Sequence, residues 1–439
     1  MKCECQGICR CGALPGVDGT RREVLKNLAG VGLVGLLPGA FGTPALAAER
    51  EIRIGFVSPR TGVLAPFGEG DEFVLSGLRK VLANGLTVAG KTYPVRIIDK
   101  DSQSNPNRAA EVAAALIKSD KVDLMLAAST ADTVNPVADQ CEINRVPCIS
   151  TDCPWEPYFF GRGAKPDGGF NWTYHFFWGL SDLINVYTAM WGRVASNKVV
   201  GALWPNDAEG NAFADARRGF PPELAARGFK LVDPGRFQPG ANDFSAQIGA
   251  FKSAGVEILT GVLPPPAFAT FWSQAAQQGF KPKVATIAKA LLFPAAVETL
   301  GERGLGLTSE VWWSPSHPFK SGLTGESAAQ FCAAYEAAGK RPWTQPLGFR
   351  HALFEVAIDV LKRARALDPA AIRDAIKSTE YDSLVGTVAW RGKPVRNVTS
   401  TPLVGGQWVK GKQYRQDLVV VDNSGEARIP VGRAIVPLS

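Results

Sequence analysis

Histidine, long apolar runs and blocks of like charge are all scarce in this sequence, and each scarcity removes a class of function. Three of 439 residues are histidine (His175, His317 and His351), and none sits in an H-E-x-x-H or comparable spacing. A zinc hydrolase is therefore not expected, and no other metal or cofactor is called for. No G-x-S-x-G elbow is present, nor a cysteine with a matching nearby base pattern. Triads assemble in space, so this absence argues only mildly against an enzyme. No stretch reaches the roughly 20 largely apolar residues that a membrane span requires. Basic residues are scattered among acidic ones, with no run able to neutralise a row of phosphates. Nucleic acid is thus excluded as a partner.

The net charge of +7 is unevenly placed: the first 47 residues hold five basic groups against three acidic ones, so +5 remains for the rest. That opening segment has the layout of an export signal. Thr20-Arg21-Arg22-Glu23-Val24-Leu25-Lys26 is followed by a glycine-rich, weakly apolar stretch from Leu28 to Phe41, broken by Pro38, and then by Ala45-Leu46-Ala47. Charged region, apolar region and small-residue cleavage site come in the right order. The pair Arg21-Arg22 resembles the twin-arginine signal, which implies the twin-arginine export machinery as a partner and a periplasmic location. Cleavage is expected after Ala47.

Cys3, Cys5, Cys9 and Cys11 form a run suited to a soft metal, but they would leave with the leader. Cys141, Cys148, Cys153 and Cys332 would stay, in a compartment that permits disulfides. Cys141 with Cys148 closes a short loop and is the favoured pair; Cys148 with Cys153, or free thiols, remain open.

From residue 51 onward short apolar runs alternate with helical patterns, the signature of parallel sheets covered by helices. Over Pro106 to Ser119, Ala109, Val112, Ala113, Leu116 and Ile117 fall at i, i+3, i+4, i+7 and i+8, which predicts a helix packed on a sheet. Val122 to Ala127 reads as a strand buried on both faces. Further helices are expected at about Gly68 to Ala83, Asp132 to Asn144, Asn211 to Arg227 and Leu347 to Arg365. A Gly/Pro-rich stretch, Glu156 to Gly169, breaks the rhythm and suggests a boundary. After Ser378 the pattern changes to short strands with glycine turns.

Gly85 to Thr92 reads G-L-T-V-A-G-K-T, a literal match to the phosphate-loop pattern G-x4-G-K-[ST]. That chemistry needs a strand feeding the loop and a helix leaving it. Here a helix enters and a strand leaves, so a plain helix-to-strand turn is expected.

Three stretches in order, Ile54-Gly55-Phe56-Val57-Ser58-Pro59-Arg60-Thr61-Gly62, Asp101-Ser102-Gln103-Ser104-Asn105-Pro106 and Gly240-Ala241-Asn242-Asp243-Phe244-Ser245, resemble the type I periplasmic substrate-binding proteins of ABC transporters, the group related to leucine/isoleucine/valine-binding proteins. The resemblance implies an α/β fold of two Rossmann-like, doubly wound lobes joined by three crossovers. It places lobe 1 at residues 51–177 plus 312–390 and lobe 2 at 178–311 plus 391–439, with crossovers near Trp178, Trp312 and Arg391. It also implies a protein, not an enzyme, that binds a small molecule between the lobes and hands it to a permease, and a monomer is expected. A sensory receptor of the same fold is the alternative.

Doubly wound sheets bind ligands beyond the carboxyl ends of their strands, so strand-to-helix loops should line the cleft. In Ala128-Ser129-Thr130-Ala131-Asp132 the hydroxyls of Ser129 or Thr130 can cap the following helix, and its free amides, that of Ala131 among them, can hold an anion. The resemblance assigns this loop to a ligand carboxylate, places Phe67 as a ligand-facing aromatic and puts Asp152 in the next loop. Trp155 is a wall of the cleft or a core residue. On the second lobe, Glu209 and Pro264 stand where relatives often carry aromatics. Near Ala288 the acidic residue of amino-acid binders is absent, with Lys289 beside it. An ammonium buried without a counter-charge is costly, so the expected ligand is an organic anion or polar molecule, with Lys289 near its charge and Glu209 or Asp152 as alternative charge partners.

Overall fold

Five-residue runs such as Leu124–Ala128, in which every side chain is buried, have no face to offer water and form strands covered on both sides. The computed structural model describes residues 50–391 and 395–438. The export segment, its cysteine run and its cleavage point lie outside those residues.

The first sheet has six parallel strands in the order Val398–Thr399, Thr173–Phe176, Cys148–Thr151, Leu124–Ala128, Ile52–Ser58 and Val95–Asp101. The second has seven: Gln416–Asp422, Val404–Lys410, Thr308–Val311, Val284–Lys289, Ile258–Leu263, Val199–Leu203 and Lys230–Val232. Its first three form an antiparallel edge, and the others run parallel. Strand order reverses between Leu124–Ala128 and Ile52–Ser58 in one sheet and between Ile258–Leu263 and Val199–Leu203 in the other. The loops leaving these strands open into crevices of the kind that hold ligands.

Local chemistry explains the helices beside those crevices. Asn105 caps the helix Pro106–Lys118 by accepting from Arg108 N at 3.0 Å, with proline at the helix start, where its missing N–H costs nothing. The buried face is the stripe Ala109, Val112, Ala113, Leu116 and Ile117 that the periodicity predicts.

Four expectations change. The segment Asn211 to Arg227 is two helices, Ala208–Phe213 and Phe220–Ala226, because Pro221 and Pro222 fit only a first turn. The phosphate-loop look-alike is a hairpin, Leu86–Val88 with Lys91–Tyr93, turned by Ala89 and Gly90 at φ of 48° and 81°. Both turn residues at positive φ match the right-handed twist of the paired strands.

Thirdly, the chain passes between sheets at residues 177–179 and again after Val311, but the last passage comes between Thr399 and Val404 rather than near Arg391. The pairing of Val398 with His175 keeps that segment on the first sheet. Lastly, Cys141, Cys148, Cys153 and Cys332 are all free thiols, not a Cys141–Cys148 disulfide. The first three fill one apolar cluster under the first sheet, acting as small hydrophobic side chains.

Candidate functional site

The crevices of the two sheets face each other, and the groups at their loops fall into two charge networks. The first centres on Arg350, fully buried on the helix Pro346–Arg363. Its Nε donates to Asp71 Oδ1 at 2.8 Å, one Nη to Asp152 Oδ2, and the other Nη to the carbonyls of Phe67 at 2.9 Å and Ala128 at 3.2 Å. Asp71 also accepts from the Ser58 hydroxyl. A planar guanidinium with several fixed donors serves four acceptors at once. In this way Arg350 ties together the loops after the strands Ile52–Ser58, Leu124–Ala128 and Cys148–Thr151. Burial pushes the Asp152 carboxyl up to about 6, against the opposing pull of Arg350.

The second network crosses between lobes. Lys289 Nζ lies 2.7 Å from Glu209 Oε2 and 3.3 Å from Asp207 Oδ2. Burial works against the Lys289 charge, but Asp207, Glu209 and Asp132 outweigh it and raise its pKa. Glu209 Oε1 reaches across to accept from Ala131 N at 3.0 Å, at the start of the helix Ala131–Asn144. In return Asp132 Oδ1 of that helix accepts from Ala208 N at 3.3 Å, at the start of the helix Ala208–Phe213. Each helix start is thus satisfied by a carboxylate of the opposite lobe, where the helix dipole favours negative charge. Asp207 completes the arrangement by accepting from Gly210 N at 2.7 Å. Position 210 has to be glycine, since a Cβ there would come within 2.1 Å of the Pro205 carbonyl oxygen.

Between the networks lies a cavity of about 20 Å³, close to the size of one water. Phe67, Phe177, Trp178, Phe213 and Trp312 form its aromatic wall, and Asp152, Glu209, Lys289 and Glu310 its charged one. Across the gap the Phe67 ring meets Phe293 edge-on at 5.0 Å. Burial lifts the Glu310 carboxyl to about 7, against the hydrogen bond from Tyr187. Three buried polar atoms on lining residues have no hydrogen-bond partner among the described residues: Asp152 Oδ1 and the indole nitrogens of Trp178 and Trp312. Buried polar atoms are rarely left so, and several around one cavity mark a place where something else supplies the partners. Two lining residues at strand ends are also strained, Asp152 at φ 75° and Lys289 at φ 63°, as is common at functional sites.

The family model described as periplasmic binding protein matches residues 51–413. The chain belongs to the periplasmic binding protein family. Solved structures agree on its type I fold of two α/β lobes. A periplasmic binding protein type 1 from Bordetella pertussis superposes with a TM-score of 0.69 at 18% identity, covering 85% of this chain and 100% of its own. The branched-chain amino acid transporter substrate binding protein from Streptococcus pneumoniae, in complex with isoleucine, gives 0.67 at 16% identity, covering 84% and 100%. A Rhodopseudomonas palustris solute binding protein in complex with 4-hydroxybenzoate gives 0.67 at 15% identity, covering 86% and 99%.

Against this binding-protein frame, the structure brings Phe67, Asp152, Glu209 and Lys289 together at the cavity. Ser129, Thr130 and Ala131 sit instead at the inter-lobe contact. The hydroxyls of Ser129 and Thr130 do not cap the helix and have no partner, and the Ala131 amide that was expected to hold a ligand carboxylate holds Glu209. Trp155 packs on Phe159 and Phe160 outside the cavity lining, and Pro264, also outside it, occupies the N-cap position of the helix Pro265–Gln277 with no side-chain cap. Lys289 is engaged by two carboxylates of its own lobe, so it is not the free cation that the sequence suggested for a ligand anion. Arg350 escaped the sequence reading altogether; its signal was an arginine among the apolar residues of a long helical pattern, Leu347 to Arg365.

Proposed function

We propose that this protein is the extracytoplasmic solute-binding component of an ABC transporter, exported through its Arg21-Arg22 leader. It closes its two lobes over a small organic solute, presents the closed form to a permease and carries out no chemistry. The observation that supports this reading most directly is the set of unpartnered buried atoms, Asp152 Oδ1 and the indole N–H groups of Trp178 and Trp312, around one cavity at the lobe boundary. Trp178 and Trp312 stand where the chain passes between the sheets, so a solute bonded to them would couple its own binding to the angle between the lobes. A cavity of about 20 Å³ holds little, so entry requires the lobes to part, the hinge motion by which such proteins work.

The reading is tested by heating the protein with a library of amino acids, amines, amides and carboxylic acids. A ligand that binds only the folded form at a hundredfold excess over its Kd stabilises by about 2.7 kcal/mol, a shift of several degrees. One chemical class should raise Tm, with X-ray scattering showing a more compact particle in the same samples. A library with no effect on Tm would contradict the reading.

A further inference from the structure

We infer that the solute is a small organic cation, an amine that also carries one uncharged hydrogen-bond acceptor. This deepens the proposed function and rests on the cleft being the solute site. The two cations and the helix-start amide beside the cavity, which would receive an anion, are already engaged. Lys289 lies between Glu209 and Asp207, Arg350 between Asp71 and Asp152, and the Ala131 amide is taken by Glu209. Against the two cations Arg350 and Lys289 stand five carboxylates, Asp71, Asp132, Asp152, Asp207 and Glu209, so the networks carry a surplus of negative charge. Introducing a further anion into a low-dielectric pocket beside them is strongly disfavoured, whereas a cation relieves the surplus.

The unpartnered carboxylate oxygen on the cavity lining is Asp152 Oδ1, whose side chain is fully buried and whose other oxygen is fixed by Arg350. An ammonium placed there completes a charge-assisted hydrogen bond. The aromatic side chains lining the cavity, Phe67, Phe177, Trp178, Phe213 and Trp312, favour a cation where it meets a ring face. The indole N–H groups of Trp178 and Trp312 are donors only, so the solute must also bring an oxygen acceptor. Because the described lining residues include no cation but the engaged Lys289, that oxygen is a hydroxyl or carbonyl rather than a carboxylate.

Calorimetry on the mature protein with ethanolamine, glycinamide, methylamine, acetamide, isoleucine and 4-hydroxybenzoate tests the inference. Ethanolamine and glycinamide should bind, methylamine more weakly, and the neutral and acidic compounds at least about 100-fold more weakly than the first two. Asp152→Asn should weaken ethanolamine about 100-fold. Trp178→Phe keeps an aromatic ring and deletes an N–H that has no partner among the described residues, and its melting curve reads the cost of the smaller side chain. The substitution should weaken ethanolamine roughly tenfold and leave methylamine unchanged. Tight binding of 4-hydroxybenzoate or isoleucine without binding of the amines would overturn the inference and leave the solute-binding reading intact. Binding of acetamide as tight as that of ethanolamine would overturn the requirement for charge. Failure of all six compounds and of the wider library would overturn both.

Discussion

Arg350→Met is expected to destabilise the fold by about 3–5 kcal/mol and to abolish solute binding. The loss follows from what the guanidinium leaves behind. Asp71 and Asp152 would remain buried without their cation, and the carbonyls of Phe67 and Ala128 would each lose a donor. Arg350→Lys should recover little, since an ammonium is a point charge with no planar fork to reach four acceptors in different directions. Urea denaturation reads the stability and calorimetry the binding. A stable Arg350→Met variant with unaltered affinity would show that the three loops are held by other means.

Lys289→Met should be nearly as costly, again by about 3–5 kcal/mol near neutral pH, because Glu209, Asp207 and Asp132 would face one another without a cation. Its pH dependence has a definite sign. Burial already holds the Glu209 and Asp132 carboxyls above their ordinary values, and Lys289 opposes this in both. Without the lysine they rise further, so the folded state binds protons that the unfolded state has released. Stability is then greatest below the ordinary carboxylate range and is lost as pH rises through the raised folded values. The variant should therefore recover on acidification to about pH 5, where the unfolded carboxylates near 4 are already ionised. Adding Glu209→Gln should restore part of the loss at pH 7. Melting curves at pH 5 and pH 8 measure both effects, and a variant equally stable at the two values would contradict the account.

These two residues also show where sequence reasoning reaches and where it stops. The stripe on Pro106–Lys118 was legible because a helix writes its buried face into spacings of three and four. The segments at and just beyond the strand ends, which carry Asp152, Glu209 and Lys289, could be nominated because doubly wound sheets bind at the carboxyl ends of their strands. The pairing of those groups was not legible. Lys289 meets a carboxylate 80 positions earlier in the chain, and Arg350 one 198 positions earlier, and no local pattern encodes either contact. The Ser129 to Asp132 loop was legible as a helix start, and its amides were expected to take a ligand carboxylate. That the carboxylate is instead Glu209 of the opposite lobe follows only from the closure of two sheets onto each other. The end of the first lobe was misplaced for a similar reason, since the two-residue strand Val398–Thr399 is too short to announce itself.

The most direct test is an ¹H–¹⁵N spectrum of the indole groups, in which the 11 tryptophans of the chain give separate signals. Titration with ethanolamine should move the resonances of Trp178 and Trp312 far more than those of tryptophans outside the cleft, with both assigned through Trp→Phe variants. Saturable movement at those two positions is the result predicted here. Movement confined to other tryptophans, or none with any solute that stabilises the protein, would place the binding site elsewhere and contradict the account.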